Sequence, residues 1–302
     1  MTTSPAPAKS WLGLWIALST IWGFSFFFIK IAGTFLDPFQ QTFARMFFGA
    51  LTLVVIVGLS GRRFIVRGPA IKHLALLSLV AQSIPFTVFA LAEHHITSIA
   101  AGLLNSTMTL WTALFALVML PEEKLSTFRA TGLGIGFFGL MILLGVWDAD
   151  FHADWVAYIA CALCTMGYAF SGLWTRKHIS PMGLDPISAV ATQLTFGAVF
   201  CAGVAAFSKH QIISWPANGV LSIMALGVLG TGAALVLNFL LVQRAGAVAT
   251  STVTYAIPVV ATLAGALILH EKLHWYEPIG AALVLTGIAI VQQLIKPRNK
   301  VS

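Results

Sequence analysis

Ten apolar stretches of about 20 residues each, separated by short connections, occupy nearly all of this 302-residue chain. A helix needs roughly 20 apolar residues to cross the hydrocarbon core of a bilayer. Only 9% of the residues are charged, whereas soluble domains carry about 25%, so the chain cannot cover its surface in water. The pattern predicts an all-α membrane protein with ten transmembrane helices. The predicted spans are Trp11–Ile29, Pro38–Gly58, Ile71–Leu91, Thr97–Leu120, Thr127–Val146, Trp155–Leu173, Pro186–Phe207, Ala217–Val242, Ala247–Leu269 and Tyr276–Ile295.

The distribution of Lys and Arg predicts the orientation of these spans. Of the 17 basic residues, 13 fall in segments on the side of the N-terminus, three fall in the opposite loops, and Arg45 lies within a span. Cytoplasmic segments carry the excess of Lys and Arg, so both termini are expected to be cytoplasmic. The net charge of +7 is therefore a topology signal, and no nucleic-acid partner is expected.

The second half of the chain repeats motifs of the first half at an offset of 148 residues. Five predicted spans separate the copies, and an odd number of spans turns the second copy over in the membrane. The division falls between residues 1–146 and 147–302, and inverted repeats of this kind are common in secondary transporters. The matching elements are Leu36-Asp37-Pro38 with Leu184-Asp185-Pro186, Glu123-Lys124-Leu125 with Glu271-Lys272-Leu273, Gly132 with Gly280, and Gly139 with Gly287.

Ten spans in two copies, each closed by a Glu-Lys-Leu turn and Gly-spaced helix, resemble the EamA type of the drug/metabolite transporter superfamily. The segments "AAGLLNSTMTLWTALFALVMLPEEKLS" and "AVATSTVTYAIPVVATLAGALILHEKLH" carry this resemblance best, and "TIWGFSFFFIK" resembles the start of a repeat. Within the family the chain looks most like the YddG-type amino-acid exporters. The resemblance implies export of small metabolites, aromatic and other neutral amino acids above all, by alternating access through a central cavity. It also implies a bacterial inner-membrane protein without a cofactor, monomeric or weakly dimeric.

Arg45, in "FARMFFGAL", is the conspicuous charge within a span. It lies about seven residues into the second span, roughly 10 Å deep at a rise of 1.5 Å per residue. Ionisable groups at such depth face the protein interior or a wet cavity and are functional candidates. Arg45 could attract a substrate carboxylate, or it could be a structural residue that snorkels outward or binds helix carbonyls.

Several amphipathic and polar residues also fall near the middle of spans. Trp and Tyr prefer membrane interfaces, and buried polar side chains need partners within the protein, so mid-span examples either line a cavity or join helices. The hypothesis of one central cavity predicts a substrate-binding set. Its members are Trp22, Ser25, Arg45, Gln82, Asn105, Trp111, Tyr168, Asn238 and Tyr255.

The acidic residues all map to loops or span ends, and no carboxylate lies in mid-span. Proton-driven carriers usually place Asp, Glu or His within the membrane, so transport is expected not to require a proton gradient strictly. Glu93, His94 and His95 are interpreted as a solvated loop cluster. The repeat glycines are expected to pack helices, and the Glu-Lys-Leu turns to cap helices and anchor membrane edges.

Other functions leave weaker signatures in this sequence. An intramembrane enzyme would need a nucleophile with a base, paired Asp residues or a zinc site, and a channel would need charge rings or filter carbonyls. No catalytic residue and no metal site are expected, and Cys161 and Cys164 are interpreted as small buried residues. A multidrug or other-metabolite exporter of the same superfamily remains open as the alternative substrate class.

Overall fold

The computed structural model describes residues 11–61, 66, 68–119 and 126–291, and every regular element within these ranges is helical. Seven helices there are long and apolar enough to cross a membrane, and three shorter apolar helices accompany them. The α-helices are α1 Leu12–Ala32, α2 Pro38–Leu59, α3 Ala70–Ser78, α4 Ile84–Ala92, α5 Ser98–Asn105, α6 Met108–Met119, α7 Thr127–Leu143, α8 Ala149–Trp174, α9 Pro186–Ala205, α10 Ala217–Met224, α11 Ala234–Ser251, α12 Val253–Leu267 and α13 Tyr276–Val291.

The two Leu-Asp-Pro motifs begin equivalent helices. Asp37 Oδ1 accepts hydrogen bonds from the backbone N–H groups of Phe39 and Gln40 at the start of α2, at 2.7 and 3.0 Å. Asp185 Oδ2 accepts from the Ser188 N–H at the start of α9, at 2.9 Å. The proline that follows each aspartate occupies the first helical position, where the missing N–H costs nothing. The repeat therefore reproduces the same local start signal twice.

Several helix ends differ from the predicted spans by a few residues, and two further differences concern more than a helix end. The connection predicted between Val242 and Ala247 is helical, because α11 continues to Ser251 and α12 begins at Val253. The segment contains one glycine, Gly246, but no proline, and a single glycine costs a helix only about 1 kcal/mol. The fourth predicted span is interrupted at Ser106 and Thr107, which separate α5 from α6.

The described residues contain three π-helical segments; one is Thr175–Ile179, and the other two lie at positions related by the 148-residue offset. Leu79–Ser83 joins α3 to α4, and Ala225–Ala233 joins α10 to α11. Within them, the Ser83 hydroxyl donates to the Ser78 carbonyl at 2.9 Å, and the Thr231 hydroxyl donates to the Leu226 carbonyl at 3.0 Å. Each hydroxyl thus bonds the carbonyl five residues earlier, which the wider π turn brings within reach. Such segments are rare and often mark functional sites.

The helices also pack in pairs that follow the offset. α2 lies against α9, and α7 lies against α13. α1 lies against α12, and correspondingly α8 lies against α6. Helices from the first half of the chain thus pack against helices from the second half.

Glycines make the closest of these contacts, between α7 and α13. A methyl group added at Gly139 would lie 2.7 Å from the Val284 backbone nitrogen, and one at Gly132 would lie 2.9 Å from the Gly287 carbonyl oxygen. A methyl group at Gly280 would overlap the backbone of Leu143. Small residues at a shared face let helix backbones approach closely in lipid. The predicted packing role of the repeat glycines is confirmed.

We expect Gly139→Ala to lower thermal stability. Alanine favours a helix over glycine by roughly 0.5–1 kcal/mol, but overpacking typically costs about 1–3 kcal/mol, so the loss should dominate. The matched control is Gly134→Ala in the same helix, where an added methyl group meets nothing within 4 Å. Thermal unfolding of the two purified variants measures the difference; equal melting temperatures would contradict this account of the α7–α13 contact.

Candidate functional site: a central polar and aromatic cavity

A cavity of about 280 Å³ lies between the two halves of the chain. Residues of α1, α2, α4, α5 and α6 line it from the first half, and residues of α8, α11 and α12 line it from the second half; the π segments Leu79–Ser83 and Ala225–Ala233 also contribute. The lining residues are Trp22, Ser25, Phe26, Ile29, Arg45, Ala81, Gln82, Phe86, Phe89, Asn105, Met108, Tyr168, Ser171, Gly172, Gly230, Thr231, Leu235, Thr254 and Ile257.

Arg45 is the only charged residue among the described lining residues, and it is 8% exposed. Its Nε donates to the Thr231 hydroxyl at 3.1 Å, and its guanidinium carbon lies 3.6 Å from the centre of the Phe86 ring. An Arg side chain offers five N–H donors. Within the described part of the chain the other four have no hydrogen-bond partner, so they are available to a group in the cavity.

A second polar contact crosses between the halves close to the cavity. Gln193 Nε2 donates to Gln82 Oε1 at 2.7 Å. Gln193 is the residue 148 positions after Arg45, and Gln82 lies in the π segment equivalent to that of Thr231. Each half therefore extends a long polar side chain from its second span to the π segment of the other half.

The rest of the wall is largely aromatic and apolar. The Phe26 and Phe89 rings meet edge to face with their centres 5.5 Å apart. Phe86 covers the Arg45 guanidinium, and Trp22 and Tyr168 add rings that combine an apolar face with a polar group. A mostly apolar pocket with a few placed polar groups is the usual form of a small-molecule site.

Six of the nine residues in the predicted substrate-binding set lie in this lining: Trp22, Ser25, Arg45, Gln82, Asn105 and Tyr168.

The other three lie elsewhere. Trp111 Nε1 donates to the Ala162 carbonyl at 3.0 Å, and its ring packs edge to face on Phe137. Asn238 lines a separate cavity of about 160 Å³. Tyr255 packs against the main apolar core, next to the lining residue Thr254.

The predicted substrate-binding set did not include the phenylalanines of the lining or Thr231, which accepts a hydrogen bond from Arg45. Phenylalanine is abundant in this chain, with 22 copies, so position alone did not distinguish the three that face the cavity. Thr231 does follow a glycine-rich stretch, and this composition is the one signal that could have indicated an irregular helix at the site.

Glu93 departs from the predicted solvated cluster. His94 and His95 are exposed as expected, but Glu93 is 3% exposed, so the prediction is wrong for this residue. Burial raises the pKa of the Glu93 carboxyl well above its usual range, and the charge of Lys30 opposes that rise. Burial and the charge of Lys30 lower the pKa of His94.

Glu271, from the second Glu-Lys-Leu turn, caps a helix of the first half. Its Oε1 accepts from the Ser98 N–H at 2.9 Å, and its Oε2 accepts from the Ser98 hydroxyl at 2.9 Å and from the Ile99 N–H at 3.1 Å. The free N–H groups and the dipole at the start of α5 favour a carboxylate there. The predicted capping role is confirmed for Glu271, while Glu123 lies outside the described residues.

We expect Trp111→Ala to reduce thermal stability more than Trp22→Ala. Trp111 is partly buried, and its truncation would remove a hydrogen bond and close ring packing, so we expect a sizeable part of the roughly 3–5 kcal/mol that truncation of a fully buried Trp costs. Trp22 borders empty space on one face, so its truncation removes fewer protein contacts. Melting temperatures and folded yields of the two variants test this; a larger loss for Trp22→Ala would contradict the packing role of Trp111.

Known proteins are similar to this chain in sequence, and a solved structure is similar to it in fold. The sequence model of the EamA-like transporter family matches residues 9–145 and again residues 155–292. The uncharacterized transporter YoaV of Bacillus subtilis is 25% identical over 286 residues, which cover 93% of this chain and 95% of that protein. The uncharacterized inner membrane transporter YedA of Escherichia coli is 22% identical over 282 residues, which cover 92% of this chain and 89% of YedA.

One solved crystal structure has the same fold. It superposes with a TM-score of 0.66 at 18% identity, over 95% of this chain and 98% of that protein. At this identity the likeness concerns the fold alone. Because the family matches cover most of the sequence, the chain belongs to the EamA-like transporter family of the drug/metabolite transporter superfamily.

Proposed function

We propose that this transporter exports neutral amino acids, aromatic ones above all, as the YddG-type exporters do, by alternating access through the central cavity. The observation that carries the proposal is Arg45, a buried cation with unused donors in a cavity whose other walls are apolar or neutral. Arg binds carboxylates with two parallel hydrogen bonds. The aromatic walls suit an uncharged side chain; Trp can also donate a hydrogen bond, and Tyr can donate or accept one.

The size of the cavity fits this substrate class. A volume of about 280 Å³ lies near the lower end of small-molecule sites, which span about 300–1,000 Å³. One amino acid can fit there, whereas large drugs would require the cavity to widen. The described lining residues supply one positive charge and no negative charge, which favours a ligand with an anionic group.

For the mechanism, we take residues 1–146 and 147–302 as two inverted five-helix repeats that rock around the cavity. Two matches to the family, one in each half, support this division. The paired contacts of α1 with α12 and of α8 with α6 support it as well. We also place both termini in the cytoplasm of a bacterial inner membrane, in line with the distribution of Lys and Arg and with the location given for YedA.

We expect Arg45→Gln to reduce transport of L-phenylalanine by about ten-fold or more, because hydrogen bonds to charged groups contribute about 1.5–3 kcal/mol and each 1.4 kcal/mol is roughly a factor of ten. The measurement is counterflow of labelled phenylalanine in proteoliposomes, normalised to folded protein. Lys209→Gln, at an exposed loop residue, is the control and should leave the rate unchanged.

The substrate group is tested in the same vesicles. If Arg45 binds the carboxylate, unlabelled phenylalaninamide should compete poorly with phenylalanine in the wild type. Equal competition by the amide would reject that role. Drugs or other metabolites that compete better than every amino acid would favour the alternative substrate class, and an ohmic current in place of saturable flux would favour a channel.

Energy coupling forms a separate part of the proposal. Because no carboxylate is among the described lining residues, we expect phenylalanine to move down its own gradient without an imposed pH difference. Proteoliposome efflux at equal internal and external pH measures this. Flux that occurs only with a pH gradient would contradict it.

A further inference from the structure

Glu93 is an unusual acidic residue in the described part of the chain. It follows the last residue of α4, and both of its carboxylate oxygens are buried without a hydrogen-bond partner there. Other acidic residues differ: Glu271 accepts three hydrogen bonds, and the equally buried Glu277 accepts one from the His274 N–H at 2.7 Å. Glu93 therefore lacks the hydrogen bonds that normally accompany burial.

The charge state follows from this environment. An ionised carboxylate removed from water is strongly unfavourable unless it is paired and hydrogen-bonded. Protonation avoids most of that cost, and the raised pKa of Glu93 agrees with it. Burial of both oxygens without a hydrogen-bond partner in the described residues accordingly favours the protonated, neutral form of the side chain in this conformation.

The neighbouring ionisable groups leave this conclusion standing. Lys30 of α1 is the cation that influences the Glu93 carboxyl most strongly. Its Nζ nevertheless donates to the backbone carbonyls of Glu93 and Ile96 rather than to the carboxylate. The other ionisable groups around Glu93 are spread over α2, α8, the turn of Glu93 itself and the α12–α13 connection. Arg45 and Glu271 act on Glu93 electrostatically, the Cys161 thiol is itself influenced by Glu93, and His94 lines the same pocket.

Water lies within reach of this carboxyl group if the helices shift. A second cavity of about 270 Å³, here called the turn pocket, is lined by Ile29, Lys30, Gly33, Thr34, Ala90, Glu93 and His94.

The turn pocket and the central cavity are close neighbours. Ile29 contributes to both linings, and of two consecutive residues in α4, Phe89 lines the central cavity and Ala90 the turn pocket. Movement of α1 relative to α4 would thus alter the surroundings of Glu93 and of the central cavity together.

We propose that Glu93 is a proton-binding site linked to the transport cycle. Its carboxyl group holds a proton in the present conformation, and it transfers that proton to water when α1 and α4 separate and the turn pocket hydrates it. The products are a carboxylate and a hydronium ion, and Lys30 is placed to pair with the new carboxylate. The link to transport rests on the proposed alternating-access function, whereas the protonation itself does not.

The direction of the pH dependence follows from linkage. A carboxyl whose pKa is higher in the folded protein than in the unfolded chain binds its proton more tightly when folded. Its stabilisation is complete below the unfolded pKa, near 4.3 for Glu, and it is lost as the pH rises through the folded pKa. His94 acts in the opposite sense, because its lowered pKa makes stability rise as the pH rises toward the usual His value.

The first experiment needs no substrate. Melting temperatures of the purified full chain in detergent are measured from about pH 5 to about pH 9, for wild type, Glu93→Gln, Glu93→Leu and two controls. Wild-type stability should fall with rising pH, and both Glu93 variants should flatten that fall. His94→Gln should not flatten it, and the matched control Glu277→Gln should flatten it less. A pH slope that is unchanged in whichever Glu93 variant folds would overturn the proposal.

The second experiment tests the link to transport. In proteoliposomes, a pH difference should change the net flux of L-phenylalanine through the wild type several-fold. In Glu93→Gln, the flux with the pH difference should equal the flux without it. Phenylalanine counterflow at equal pH should persist in that variant, since exchange needs no net proton movement. A pH response that is retained in Glu93→Gln would reject the link to transport. If the wild type shows no phenylalanine flux, the amino-acid proposal is rejected. The pH dependence of the melting temperatures then still tests whether Glu93 binds a proton.

Discussion

The structure depends on close backbone contact between α7 and α13, where the glycines of one helix face those of the other. In lipid there is no hydrophobic driving force between helices, so van der Waals packing and interhelical hydrogen bonds have to hold them together. The methyl-free faces of Gly132, Gly139, Gly280 and Gly287 permit this contact. α7 and α13 are joined in this way outside the central cavity, to whose described lining neither helix contributes a residue.

The cavity itself combines two requirements that conflict in a membrane. A binding site for a polar molecule needs unused donors, but unused donors in a dry interior are unfavourable. Here Thr231 satisfies one nitrogen of Arg45 and the Phe86 ring covers the guanidinium, so the charge is held in place while other donors stay available. Gln193 and Gln82 satisfy one another in the corresponding place of the other half. Two positions related by the 148-residue offset, Arg45 and Gln193, thus differ in charge: one is cationic and the other is neutral.

Sequence patterns predicted the helices, the repeated Leu-Asp-Pro starts, the packing glycines and the cap from Glu271, because each depends on local spacing or on composition. They did not predict which face of a helix turns inward. Spans that are apolar all round carry no amphipathic stripe, so Trp111 and Tyr255 had the right depth for the cavity but lie on other faces. Glu93 was misjudged for a related reason: its place at a span end indicated solvent, whereas the packing of α1 against the short turn buries it.

The hydroxyl bonds of Ser83 and Thr231 have a mechanical consequence. A π turn holds an additional residue within an otherwise regular helix, and moving that residue by one position rotates a side chain by about 100° around the axis, the angle implied by 3.6 residues per turn. As the π turn shifts along the helix, each carbonyl that loses one hydrogen-bond donor can gain another, so no backbone hydrogen bond need stay broken. Gln82 and Thr231 lie within the two π segments related by the 148-residue offset. A shift of either π turn by one residue would therefore reorient the polar side chains of that segment by about this angle around the helix axis.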